Sequence, residues 1–579
     1  MRISYSRPCT LLVALFSCVL HARADAQIVI DLSHVTVDAP ARARFLAWVD
    51  QAVAGSPGYN FSATDAAFAY RLTPTPAYCQ LAVARVEAQV AAAEALIANA
   101  QRPAVSANQY LYSGEMIRDL ALAYDWCPTY SSVAQRARWA AYADQTVWNI
   151  WNHALASWGG HAHPWPGWSV TDPGNNYYYS FLEATILWSL ANPAATCNAS
   201  HSQTCRSFLE LVKLPPLDLY FSALPGGGSS EGTAYGLSHA RLFELYRIWR
   251  DSTGINLAAL NPHLDESIDW WIHATVPGLD AVAPIGDQAR VSYPEIYDYH
   301  RNLLLQARAM STSEPARARA SWWLNSISIW RMTSGFNFRH DLLPAGNPGT
   351  APAATWYHAT GTGRLFARSG WNADAFWLAF AAGPYNQSHA HQDQGSFTLY
   401  GQRGFLAVTE NIWSHSGIQQ GTEVHNVVRF VHNGETLRQR LNTVSSMSVT
   451  TLADGTLRAD ANLTPAYGSG SPVQGWTRRL DYRDREVEIV DLFQVATGVE
   501  AIFQINLPVV PQINGRLARA GALSIDVVEP LDAVLTAVDW TTVGDPDFLR
   551  GWKLEVRGSG NGFRVRLGNS DMIFSNGFE

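Results

Sequence analysis

The densest group of side chains able to do chemistry runs from Asn386 to Phe397, NQSHAHQDQGSF. Residues two apart on an extended segment share a face, so His389, His391 and Asp393 would crowd one side. Imidazole transfers protons near neutral pH and also binds metals. The group therefore reads as a proton-transfer or metal site, or as a solvated polar turn. Glu410 and His425 lie downstream as further donors. Two histidines and a carboxylate form an acceptable zinc set, although these spacings match no short metal signature.

Two more groups lie upstream. Pro173 to Tyr179 (PGNNYYY) opens an apolar helix, where an Asn caps as readily as it binds and the tyrosines pack. Gly226 to Tyr235 (GGGSSEGTAY) is a glycine-rich run into another helix. It lacks the Lys and spacing of a phosphate-binding loop, so nucleotide binding is not indicated. His161 and His163 in the loop WGGHAHPWPGW, and Gly286-Asp287 ahead of Arg290, read first as structural loops.

The elements that must hold these groups change type along the chain. Ala84–Ala100, Met116–Tyr124, Arg136–Trp151, Phe181–Leu190, Ala240–Arg250 and Ile268–Ala274 carry apolar residues at helical spacing. Leu342–Ala354 (LLPAGNPGTAPAA) is a Pro/Gly/Ala boundary. Beyond it Phe376–Phe380, Phe397–Tyr400, Val427–Val431, Val487–Val495, Ala501–Leu507 and Phe563–Leu567 read as strands. The expected division is a helical domain over 27–341, a linker over 342–354, a β-rich domain over 355–570 and a tail over 571–579. Many helices joined by Gly/Pro/Trp loops suit an (α/α) toroid or another helical array, and the strands suit an antiparallel β-sandwich.

Composition narrows the function classes. The 579 residues are 47% hydrophobic and 12% aromatic with a net charge of −8, which excludes pervasive disorder and a basic nucleic-acid footprint. Lys213 and Lys553 are the only lysines among 41 basic residues. Residues 1–26 read as a signal peptide: Arg2 and Arg7, then an apolar run from Leu11 to Leu20, then an Ala-x-Ala cleavage site. No stretch reaches membrane-span length. A secreted or periplasmic protein follows, and with it disulfides. Of the three pairings open to the four cysteines left after the signal, Cys79–Cys127 and Cys197–Cys205 are preferred.

Taken in order, these pieces resemble the heparinase II/III-like polysaccharide lyases, a group that includes the oligoalginate lyases. Phe366-Ala367-Arg368-Ser369-Gly370-Trp371 looks like the family's opening strand. His389 to Phe397 resembles its H-x-H-x-D-x-x-S-F signature, and His425-Asn426-Val427-Val428 its H-N-T-V segment. Asn175-Asn176-Tyr177 is similar to the Asn-Asn-His stretch of alginate-active members, and Glu231 to Tyr235 to their E-G-x-x-Y.

The resemblance implies a toroid followed by a β-sandwich, a cleft between them, and β-elimination at uronic acid residues. It implies Tyr235 as base, acid or both, Asn176 as the group that neutralises the substrate carboxylate, and His389 as second neutraliser or proton relay. Asn175, Tyr177, Glu231, His239 and His163 are the expected further substrate contacts. Two departures stand out: Tyr177 replaces a His that can serve as base for one C5 epimer, and the zinc-binding Asp position falls at Thr409-Glu410. A structural zinc would rest on His391, Glu410 and His425. The expected partner is an acidic polysaccharide, with alginate or another unsulfated polyuronate favoured by the scarcity of lysine. The alternatives are a glycoside hydrolase on a similar toroid, using Asp172, Glu231 or Asp287, and a glycan-binding protein without activity.

Overall fold

The computed structural model describes residues 28–287, 294–327, 335–409, 420–546 and 548–569. The expected signal peptide and C-terminal tail lie outside these residues, as do Arg290 and Glu410.

The helical half is built in two layers. Ala63–Leu72, Ser113–Trp126, Asn176–Ala191, His239–Thr253 and Asp298–Met310 pack each on the next as an inner ring. Pro76–Ala98, Val133–Trp151, His263–Ala274 and Glu314–Ser326 back them from outside. The inner helix Asn176–Ala191 is buried from Tyr178 to Leu190, as its apolar sequence on every face requires. Capping boxes at Ser62/Asp65 and Ser132/Gln135 start two of the others. Arg339 bridges Asp65 at 3.0 Å and Glu244 at 2.8 Å, joining the first inner helix to the fourth. Cys79–Cys127 and Cys197–Cys205 are both disulfide-bonded.

The β half is a sandwich of antiparallel sheets. One layer joins two five-stranded sheets through a bridge between Val408 and Asn506. The other is an eight-stranded sheet running from Ser446–Thr451 at one edge to Gln512–Asn514 at the other. Asn426 fastens the first layer: its amide donates to Phe397 and Val408 carbonyls and accepts from the Asn506 N–H.

The strand Trp377–Ala381 (WLAFA) is buried throughout because both its faces are covered. Leu378 and Phe380 enter the sandwich core, while Trp377 and Ala379 belong to the toroid core. This is period-two alternation with apolar partners on each side. Arg368, on the neighbouring strand, reaches across to the His273 and Thr275 carbonyls at the end of the helix His263–Ala274. The two halves are thus packed together, and the loops at their junction carry the chemistry.

Candidate active site

Three loops meet at that junction backbone to backbone, and two glycines allow it. Gly232 sits at φ +84°, where a Cβ would lie 2.1 Å from the Ile285 carbonyl oxygen. Gly286, at φ +64°, would bring a Cβ within 2.6 Å of the His389 oxygen and 2.9 Å of the Glu231 oxygen. Only glycine fits such close approach in a left-handed conformation. The loops at 229–235, 285–287 and 386–391 are thereby held in one stack.

Tyr235, at the end of the short helix Gly232–Tyr235, lies flat on the His389 ring: the centroids are 3.5 Å apart and the planes 8° from parallel. His389 is fixed from behind. Its Nδ1 meets Asp287 Oδ2 at 2.6 Å, and His391 Nε2 and Gln420 Nε2 meet Asp287 Oδ1 at 3.1 and 2.9 Å. Burial pushes the Asp287 carboxyl up, but these hydrogen bonds outweigh it and hold the group well below the usual carboxylate range. The ionised Asp287 requires His389 to donate through Nδ1, which leaves Nε2 turned away from that anchor.

Asn175 and Asn176 divide their labour at the start of the inner helix. Asn175 Oδ1 accepts from the Tyr177 N–H as the helix cap, and its Nδ2 donates to Glu231 Oε1 at 3.0 Å. Both ends of that side chain are committed. Asn176 donates its main-chain N–H to Glu231 Oε2 and Nδ2 to Oε1, and the residue lines a cavity. Glu231 is fully buried; burial pushes its carboxyl up to about 8, with the Asn176 hydrogen bonds opposing. Tyr177 donates its hydroxyl to Asn108 Oδ1 at 3.0 Å. Burial raises that phenol, and Tyr235, Tyr112 and Glu231 are near enough to raise it further.

Several expected site residues fall elsewhere. His239 is 1% exposed, packed against Phe221, Phe243 and His263 with Nε2 on the Tyr179 hydroxyl, so it has no face for a substrate. His163 sits in the Trp/Pro loop, its N–H bonded to the Ala156 carbonyl, and no hydrogen bond joins it to the group above. Glu231 holds the two asparagines rather than facing the cleft. The segment 386–396 is not a strand, and Asp393 turns to Arg364 at 2.8 Å instead of joining His389 and His391 on Asp287.

The candidate metal residues give a partial set. His391 and His425 pack with ring centroids 5.2 Å apart, both buried. No hydrogen bond of normal geometry reaches His391 Nδ1 or either His425 ring nitrogen. Burial pushes His425 down to about 3, so it is neutral, the form that binds a metal. Among the described residues no three His, Cys, Asp or Glu converge as a complete metal site. Sequence reading also gave too little weight to Asp287 and Asn108. The short polar Gly-Asp pair after the apolar run Ala281–Ile285 was the only signal for the first.

Residues 358–570 match the family described as Heparinase II/III-like, C-terminal. The C-terminal part of the chain is thus a heparinase II/III-like domain. The whole architecture, an (α/α) toroid followed by an antiparallel β-sandwich, is that of solved heparinase structures. Heparinase III superposes with a TM-score of 0.57 at 13% identity, over 96% of this chain and 91% of that one. The heparan sulfate lyase HepC of Pedobacter heparinus gives 0.55 at 13%, over 87% and 75%. At that identity the likeness is one of fold. No curated protein sequence matches the chain. His389, His391, Asp393 and His425 all lie inside the matched heparinase II/III-like domain, whereas Asn176 and Tyr235 come from the toroid.

Proposed function

We propose that the protein is a polysaccharide lyase that cleaves an unsulfated uronate-containing glycan by β-elimination, leaving a 4,5-unsaturated end. The observation that carries this reading is the parallel stack of Tyr235 on His389, with His389 anchored by an ionised Asp287 and Asn176 held nearby by Glu231.

The reaction breaks the C5–H bond beside the uronate carboxylate. The electron pair forms the C4=C5 double bond, the C4–O4 bond breaks, and the departing oxygen takes a proton. Charge builds up on the carboxylate as C5 is deprotonated, so donors aimed at it lower the barrier. Asn176 supplies such a donor, its amide oriented by Glu231. Tyr235 first passes its phenolic proton to Nε2 of His389, the unprotonated nitrogen of the fixed tautomer. The phenolate then takes the C5 proton and delivers it to O4, and the imidazolium offsets the phenolate charge and returns its proton to Tyr235 at the end of the cycle. Tyr177, tied to Asn108, lines the approach in place of the histidine of alginate-active relatives.

A hydrolase needs two opposed carboxylates with room between them for sugar and water. Glu231 and Asp287 are fully buried and engaged with Asn and His donors, so they do not suit that role. A structural zinc on His391, His425 and Glu410 belongs to the same proposal, supported by the unpartnered imidazole nitrogens. Its role would be to hold the β-domain loops under His389, and elemental analysis of the purified protein tests it. Two disulfides, which persist in oxidising compartments, support export by the N-terminal signal.

The test is ultraviolet absorbance of the unsaturated product across a panel of uronate polymers, alginate included. Wild type should give signal on at least one polymer, and Tyr235→Phe should lose about 10²–10⁴-fold in kcat. Turnover unchanged by Tyr235→Phe, or new reducing ends without unsaturation, overturns the reading.

A further inference from the structure

The toroid encloses a cavity of about 680 Å³ that shares Asn176 with the site above. Its rim carries tyrosine rings open to solvent: Tyr59 is 51% exposed, Tyr112 48% and Tyr299 40%. Exposed phenols around a polar hollow offer flat apolar faces with a polar tip, the surface on which a sugar ring stacks. Tyr112 and Tyr235 both lie near Tyr177, which sets the hollow beside the reacting centre.

The cavity's charges are already spent on one another. Arg118 is paired with Glu183 and, at 3.0 Å, with Glu244. Arg241 holds Glu115 at 2.6 Å and Glu183 at 2.8 Å, and Arg339 holds Asp65 and Glu244. His340 lies 3.0 Å from Asp298. Each of the lining cations thus has a carboxylate partner, and Glu115, Asp119, Glu244 and Asp298 also line the hollow. The arginines around Glu244 hold it well below its usual range despite burial, so it keeps its charge. A sulfate or a second carboxylate entering here would meet fixed negative charge and, among the described residues, no uncommitted cation, which costs more than it returns.

We infer that this cavity seats the sugar next to the cleaved uronate and that it selects for an uncharged one. The substrate class is therefore an alternating glycan of uronate and neutral or N-acetylated sugar, not a polyuronate and not a sulfated chain. This deepens the lyase reading and rests on it.

The experiment uses matched polymers and the full-length mature protein. Unsulfated chondroitin is compared with chondroitin sulfate, heparosan with heparin, and alginate serves as a polymer in which every sugar is charged. Initial rates of unsaturated product should favour each unsulfated alternating polymer over its sulfated partner and over alginate by about tenfold or more in kcat/KM. Equal or faster cleavage of the sulfated chains or of alginate overturns the inference. Binding of chondroitin tetrasaccharides to Tyr235→Phe by calorimetry separates this from failure of the lyase reading. The unsulfated tetrasaccharide should bind about tenfold tighter than the sulfated one, and Tyr112→Ala added to Tyr235→Phe should weaken it severalfold. No binding, no preference, or no effect of Tyr112→Ala also overturns the inference. The lyase reading itself fails if wild type makes no unsaturated product from any polymer, an outcome distinct from those that overturn the charge selection. Glu115→Gln, which removes one of the two carboxylates on Arg241 and leaves Glu183 as the other, should narrow the gap between sulfated and unsulfated chains; an unchanged ratio would count against the charge argument.

Discussion

Asp287 and Glu231 are two buried carboxyls, and their surroundings push them in opposite directions. Asp287 stays ionised because three donors converge on it, and its charge sets which nitrogen of His389 carries the proton. Asp287→Asn preserves size but presents an N–H to Nδ1, so the opposite tautomer is favoured. We expect kcat to fall by about 10²–10⁴ with little change in KM, measured on the best polymer; a change confined to KM would assign Asp287 to binding. Glu231 behaves differently, because its folded pKa of about 8 lies above the ordinary 4.5. The native state keeps a proton that the unfolded chain loses, so this stabilising contribution is complete below pH 4.5 and is lost as pH rises through 8. Melting temperatures of wild type should therefore fall relative to Glu231→Gln between pH 5 and 9. A constant difference across that range would mean Glu231 does not titrate there.

At the scale of elements, the turn before the second inner helix is the most strained part of the site. Asn108, Gln109 and Tyr110 are three consecutive non-glycine residues at positive φ, 43°, 53° and 64°. Each L-residue in that region costs about 1–2 kcal/mol, and Gln109 Oε1 is also buried without a partner. Such strain persists where surrounding structure enforces it and gathers at functional sites. Here it brings Asn108 to the Tyr177 hydroxyl. Gln109→Gly should raise stability by about 1 kcal/mol while lowering kcat/KM, and Asn108→Ala should raise KM about two- to tenfold through the lost hydrogen bond. Thermal melts and steady-state rates check both; a stabilised Gln109→Gly with full activity would show that the strain has no part in function. None of this was legible in the sequence, because SANQY carries no glycine to mark a left-handed turn. The long elements were legible. The expected helix Arg136–Trp151 is the observed Val133–Trp151, lengthened by its capping box, and the expected strand Val487–Val495 is the observed Glu486–Val495. His239, which the resemblance offers as a substrate contact, is instead buried in the toroid core, and the sequence does not say which face of its helix is covered. The weakly apolar edge strands Ser446–Thr451 and Gln512–Asn514 were missed because they bury little.

For the whole molecule, the site exists only where toroid and sandwich stay in register, and sequence periodicity within each half says nothing about that joint. Arg368 spans that joint. It is 2% exposed, its guanidinium lies 3.7 Å over the Trp371 ring, and one nitrogen serves the His273 and Thr275 carbonyls together. Burial pulls it down to about 9, so its charge is retained at neutral pH. A lysine there keeps the charge but loses the planar stack and reaches one carbonyl instead of two. The abandoned buried carbonyl costs about 1–3 kcal/mol, all of it at the joint between halves. Calorimetry of Arg368→Lys should therefore show the toroid and the sandwich unfolding at more widely separated temperatures than in wild type, with a fall in kcat/KM despite some 20 intervening residues between Arg368 and His389. Arg403→Lys, at an ion pair with Asp374 whose partners are 71% and 62% exposed, serves as control and should shift neither quantity beyond about 0.5 kcal/mol. If both variants melt and turn over like wild type, the catalytic loops are held by their own backbone stack at Gly232 and Gly286, and the joint contributes nothing to their geometry.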